Sequence, residues 1–234
     1  MSWLLTFSRS TVGAKVIMAL TGAAMFGFLI AHMAGNLLVF WGAAYHNHHA
    51  LFLHQLPELI WPARIGLVLA IVAHIFSWLN LRARSAAARP IPYKVSKSRA
   101  STLYSKTMGY TGPIILIFLV VHLLQLTTGT LHPNYQFQSG GAIEADTPAA
   151  FENTVAILSQ PLWGTFYIVC NLLLGLHLFH GAYAMCRTLG LSGDRQQGVA
   201  RALAAGVTAT IVGGNVVIAA AILAGLVTLP SLGN

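Results

Sequence analysis

The chain has 234 residues, of which 56% are hydrophobic and only 8% are charged, with a net charge of +8. An ordinary soluble domain carries about 25% charged residues, so a water-soluble enzyme and a disordered chain are excluded. The positive charge does not point to nucleic acid, because the basic residues separate long uncharged runs instead of lining one solvated face.

Five apolar runs reach the roughly 20 residues needed to cross a bilayer, which predicts an all-α membrane protein forming one domain over residues 1–234. The first run, 16–44, follows Arg9 and Lys15 and has no small-residue cleavage site after it. It reads as a retained span. The second, 60–81, starts near Pro62, and the fourth, 162–186, starts after Pro161, positions at which a helix needs no N–H. The third is 107–131 and the fifth 202–229. Cys170 and Cys186 both fall in the fourth run, too far apart on a helix to pair, and no C-x-x-C-H motif is present for covalent haem.

The flanks alternate in charge. The N-terminus, the 82–106 segment and the 187–201 segment carry every Lys and Arg except Arg64. Glu58, Glu144, Asp146 and Glu152 lie on the other set of flanks. The positive-inside rule puts the N-terminus in the cytoplasm and the C-terminus outside, as in a bacterial inner membrane. Beyond setting topology, the basic 82–106 segment is suited to docking a cytoplasmic partner or lipid headgroups.

Ten histidines are present. His46, His48, His49, His54 and His132 fall at outer span ends and loops, where a solvated histidine needs no special role. His32, His74, His122 and His177 lie inside the first four spans, one in each. Ionisable residues at membrane depth are costly and are generally functional. Depth pairs them. Measured from the nearest basic residue at 1.5 Å per residue, His32 and His122 lie roughly 25 and 24 Å in, and His74 and His177 roughly 12 and 15 Å. Two histidines at one depth can fill both axial positions of a haem iron, so two stacked b-type haems are expected. His180 sits one turn from His177 at nearly the same depth, and spacing alone does not choose between them. Small residues beside these positions, including Ala31, Gly35, Ala73 and Gly175, suit close approach of a flat porphyrin.

In chain order, the sequence contains Ser10-Thr-Val-Gly-Ala-Lys15, Met18-Ala-Leu-Thr-Gly22, His32-Met-Ala-Gly-Asn36, Gly109-Tyr-Thr-Gly112 with His122-Leu, and Gly175-Leu-His-Leu-Phe-His-Gly181. Over essentially its whole length it resembles the five-helix, dihaem cytochrome b membrane anchor of succinate dehydrogenase and fumarate reductase (succinate:quinone oxidoreductase). The resemblance implies His32 and His122 as ligands of an outer haem, and His74 and His177 as ligands of an inner one, favouring His177 over His180. It implies a flavoprotein subunit with FAD and an iron–sulfur subunit on the cytoplasmic side. Quinone, menaquinone rather than ubiquinone, would react at one face, and the complex could form a higher oligomer. Some dihaem fumarate reductases carry a proton-transferring glutamate two residues before the ligand. That position here is Gly175, which bears no such group.

Propionate partners near the membrane surfaces are expected among Ser10, Lys15, Arg82 and Lys106 on the inner side and Arg64 on the outer side, with His180 as a further cofactor contact. Glu58, His54 and Arg64 are the quinone-site candidates. Other readings are a dihaem cytochrome b of a formate dehydrogenase or hydrogenase, a proton-coupled transporter with a histidine relay, and a cofactor-free structural anchor. The transporter fits poorly with spans that hold no Asp or Glu.

Overall fold

A computed structural model of the protein describes residues 2–89, 91, 102–138, 147–191 and 193–229. Lys94, Lys97 and Arg99 of the basic segment, and Glu144 and Asp146 of the acidic one, lie outside the described residues. The described residues form eight α-helices: α1 Ser2–Arg9, α2 Thr11–Asn36, α3 Ala43–His54, α4 Pro57–Ala87, α5 Leu103–Leu126, α6 Ala150–Leu158, α7 Pro161–Thr188 and α8 Gln197–Leu223. Five helical stretches are long and apolar enough to cross a membrane: α2 with its 3₁₀ extension to Trp41, α4, α5, α7 and α8.

Helix starts follow local chemistry. The Ser10 hydroxyl accepts from the Gly13 amide at 2.9 Å and caps α2. Thr102 does the same for α5 through the Ser105 amide at 3.2 Å. Pro161 opens α7 as expected, but α4 opens at Pro57, so Pro62 lies inside the helix and not at its start. The first span also ends earlier than its apolar run suggests. Gly42 takes φ 92°, a left-handed value that a side chain disfavours, and the chain turns there into α3.

Helices α2 and α7 form the centre of the bundle. α2 packs on α4 and α7, α5 packs on α7, and α8 packs on α7 and α2. Leu174, Leu178 and Ile211 form the mid-bundle core with Phe26, Leu29 and Ile115 around them. The outward faces of α4 and α5 are apolar and open: Val68, Leu69, Val72 and Phe76 on α4 are each about 60% exposed or more. A surface of this kind suits lipid and not water.

The two ends of the bundle differ. The end holding Arg9, Lys15, Lys106 and Arg187 is basic. There Arg84 reaches the Arg9 carbonyl at the close of α1 at 2.5 Å and ties α1 to α4. The other end is capped by α3 and α6. Val39, Phe151, Val155, Ile157 and Leu158 pack with Tyr167, Ile218 and Ile222 beneath that cap.

His46, treated as a solvated loop histidine from the sequence, lies in α3 and is 6% exposed, and His132 is 4% exposed. The reason is the cap. Asn47 on α3 accepts from the Phe151 amide at 2.8 Å and donates to Glu152 at 2.9 Å, joining α3 to the first turn of α6. His132 accepts from the Asn134 amide at 3.2 Å and meets the Asn153 carbonyl at 3.3 Å through Nε2.

Candidate haem-binding histidine pairs

Four of the spanning helices pack in the order α4, α2, α7, α5. The pairs α2/α5 and α4/α7 are not among the extensively packed ones. The four intramembrane histidines nonetheless meet between these two helix pairs. The rings of His32 on α2 and His122 on α5 have centroids 5.8 Å apart at 89°. Those of His74 on α4 and His177 on α7 are 6.4 Å apart at 54°. His180 makes no ring contact with His74 among the described residues.

The separations suit two imidazoles sharing one metal. Two metal–nitrogen bonds of about 2 Å, with roughly 1 Å more from each nitrogen to its ring centre, place the centroids about 6 Å apart. The angle between the ring planes is free about that axis.

Ring orientation adds a second test. A metal-bound histidine commonly donates its other N–H to an oxygen, which fixes the tautomer. His74 Nδ1 lies 3.1 Å from the Met18 carbonyl and 3.3 Å from Thr21 Oγ1. His177 Nδ1 lies 3.3 Å from Thr111 Oγ1. The Thr21 hydroxyl already donates to the Ile17 carbonyl at 2.7 Å, and that of Thr111 to the Thr107 carbonyl at 3.1 Å. Each threonine oxygen is therefore available to accept from Nδ1, and for His74 the Met18 carbonyl, which can only accept, requires Nδ1 to donate. This arrangement puts the proton on Nδ1 and leaves the Nε2 lone pair free for a ligand. His122 Nδ1 likewise lies 3.4 Å from the Tyr167 hydroxyl. Among the described residues His32 has no such partner, and it stacks on Phe28 at 5.3 Å.

Glycines follow both threonines. A Cβ on Gly22 would stand 3.5 Å from His74 Cε1, and one on Gly112 would stand 3.8 Å from His177 Cε1. The string Thr-Gly, nine residues, His thus occurs twice, as Thr21-Gly22 to His32 and Thr111-Gly112 to His122. Each copy serves both pairs. Its threonine holds the histidine of one pair, and its own histidine belongs to the other. Thr21 and Thr111 were visible in the sequence only as members of these strings, because a hydroxyl in an apolar helix carries no mark of its partner.

These observations fit haem at both pairs. A porphyrin supplies four nitrogens and needs only two from the protein, whereas a free ion needs more. No group of three or more His, Cys, Asp or Glu suited to a metal ion occurs among the described residues, including around His46, His48 and His49.

The remaining site residues lie at the bundle ends. Lys15 and Arg187 line a pocket of about 310 Å³ at the basic end with Thr188. The guanidinium of Arg82 lies over Trp78 at 5.9 Å and reaches toward Gly109 of α5. Lys106 is exposed. The Ser10 hydroxyl is occupied, donating to the Phe7 carbonyl at 2.7 Å while capping α2. At the capped end Arg64 stands over Trp61 of its own helix at 5.4 Å. Arg64, Glu58 and His54 are exposed, and among the described residues none of them contacts a ring of either histidine pair.

A different set meets near His32. His49 packs on the Gly35 backbone, one turn beyond His32. His46 lies near His49, Glu152 and His32; burial first, then the charges of His49 and His32, lower its pKa to about 4 against the opposing charge of Glu152. The fold-back of α3 at Gly42 brings this group together, and no spacing in the sequence signals it.

Compared with known protein families, characterised proteins and solved structures, the chain matches none significantly.

Proposed function

We propose that the chain is the dihaem cytochrome b membrane anchor of a succinate:quinone oxidoreductase in a bacterial inner membrane. One observation carries this reading: the intramembrane histidines meet in two pairs, between α2 and α5 and between α4 and α7, with ring separations of 5.8 and 6.4 Å. The oxygen partners on three of the four Nδ1 atoms and the ordered sequence strings support it. Haem b bound at each pair would supply reversible one-electron chemistry.

The protein's own part is positional. Met18, Thr21, Thr111 and Tyr167 hold Nδ1 protons, so the Nε2 atoms of three histidines are left as donors. Gly22 and Gly112 keep the ring edges clear. Thr21 faces His74, so the rise from Thr21 to His32 separates the two sites by roughly 16 Å along the axis. With the basic end in the cytoplasm, the His74/His177 pair lies nearer the flavoprotein and iron–sulfur subunits. The His32/His122 pair lies nearer the capped end, where His54, Glu58 and Arg64 are available to a quinone.

The test is a reduced-minus-oxidised spectrum of the native complex, with its subunits identified. The expected result is b-type absorbance from two haems per chain, with a flavoprotein and an iron–sulfur subunit present. His32→Ala or His122→Ala should remove one haem signal, and His74→Ala or His177→Ala the other. Absence of reducible b-type absorbance overturns the reading. Formate dehydrogenase or hydrogenase partners would transfer it to that class.

A further inference from the structure

Gln125 on α5 is fully buried, at 0% exposure. Its Oε1 accepts from the Tyr167 hydroxyl at 3.0 Å, while its Nε2 has no partner among the described residues. The carbonyl bond to Tyr167 is therefore the hydrogen bond through which Gln125 meets its surroundings.

A phenol has one proton. Tyr167 gives it to Gln125, and the Tyr167 oxygen also lies 3.4 Å from His122 Nδ1. With the phenol proton directed to Gln125, that oxygen is left to accept, an arrangement that puts the proton of His122 on Nδ1. A reversed Gln125 amide would impose the opposite arrangement: Nε2 would donate to the phenol, the phenol would donate to Nδ1, and His122 Nε2 would be protonated and unable to bind metal. Phe118 and Phe166 pack on the Tyr167 ring at 5.1 and 6.1 Å and shield these bonds from water.

We propose that Tyr167 and Gln125 form a positioning relay that sets the tautomer and basicity of His122, and thereby lowers the reduction potential of the haem at the His32/His122 pair. The inference rests on the dihaem reading, since it takes His122 as an iron ligand. A hydrogen bond accepted from Nδ1–H makes the ring a stronger electron donor, which favours the oxidised metal. Gln125 acts through Tyr167, so its effect should be contained within that of Tyr167.

The experiment is a redox titration of the native complex carrying Tyr167→Phe, Gln125→Leu or both, followed by haem absorbance. The two haems are assigned beforehand with His32→Ala and His74→Ala. Tyr167→Phe should raise the potential of the His32/His122 haem and leave the other unchanged. Gln125→Leu should shift the same haem in the same direction by less, and the double variant should match Tyr167→Phe. If Tyr167→Phe does not retain that haem, Gln125→Leu carries the test, since it keeps the phenol and its packing. Two retained haems with wild-type potentials in the informative variant overturn the relay while the dihaem reading stands. A wild-type complex without b-type absorbance removes that reading and the relay with it.

Discussion

Asn47 hydrogen-bonds α3 to the first turn of α6. Asn47 is 4% exposed and Phe151 is 3% exposed. Asn47→Ala removes the acceptor of the Phe151 amide and the donor to Glu152. Ala149, at the N-cap of α6, has no side chain that could replace it. A buried amide left unpaired costs about 1–3 kcal/mol. The bond to a carboxylate adds on the order of 1 kcal/mol once discounted for the half-exposed Glu152. Together they lower the free energy of opening the cap by about 2–4 kcal/mol, which multiplies the open population roughly 30- to 1,000-fold. Hydrogen exchange in lipid nanodiscs reads this directly, because amides that exchange through local opening accelerate by the same factor. Amides of α6 should speed up by that amount, while those of α8 around Ile211 should not change. Exchange in α6 within about threefold of the wild type would refute the reasoning, because the apolar cluster of Val39, Val155 and Ile157 would then hold the cap without Asn47.

On the proposed dihaem reading, Gly22→Ala places its Cβ in ordinary contact with His74 and should retain both haem signals, whereas Gly22→Leu should displace the ring and selectively remove the His74/His177 signal; equal spectra for the two variants would contradict the packing. His46 gives a pH dependence. Its pKa of about 4 lies below the usual 6.5, so the folded cap binds fewer protons than the open one. Its stabilisation is complete above about pH 6.5 and is lost as the pH falls toward 4, by at most about 3 kcal/mol. Exchange of α3 amides, corrected for intrinsic rates, should therefore accelerate over that window, and His46→Gln should abolish the effect.

The five spans were legible because each is an apolar run of bilayer length, and lipid selects for nothing finer. Their ends were less legible. The uncharged stretch through Trp41 and Gly42 hides a change of direction that depends on one positive φ angle. Helices α3 and α6 were missed because they are short and meet through residues more than 100 apart in sequence, such as Asn47 and Glu152. The company of His32 with His122 and of His74 with His177 was readable from depth, since helices of fixed rise bring equal depths to one level. Depth could not show the partners on Nδ1. Tyr167 and Gln125 lie 42 positions apart, and their meeting depends on how α5 turns toward α7.

The spacing shared by α2 and α5 explains how one arrangement can serve two sites. Eleven residues separate Thr21 from His32, and Thr111 from His122. At 3.6 residues per turn this is close to three full turns, so threonine and histidine share a helix face about 16 Å apart. The hydroxyl meets the histidine of α4 or α7 at one level, and the helix's own histidine meets that of the other helix at the next. A shift by one residue in either string would rotate its histidine by about 100° away from the bundle axis. The recurrence of the same interval in both helices therefore follows from geometry. Each of these helices must complete one pair and support the other from a single face.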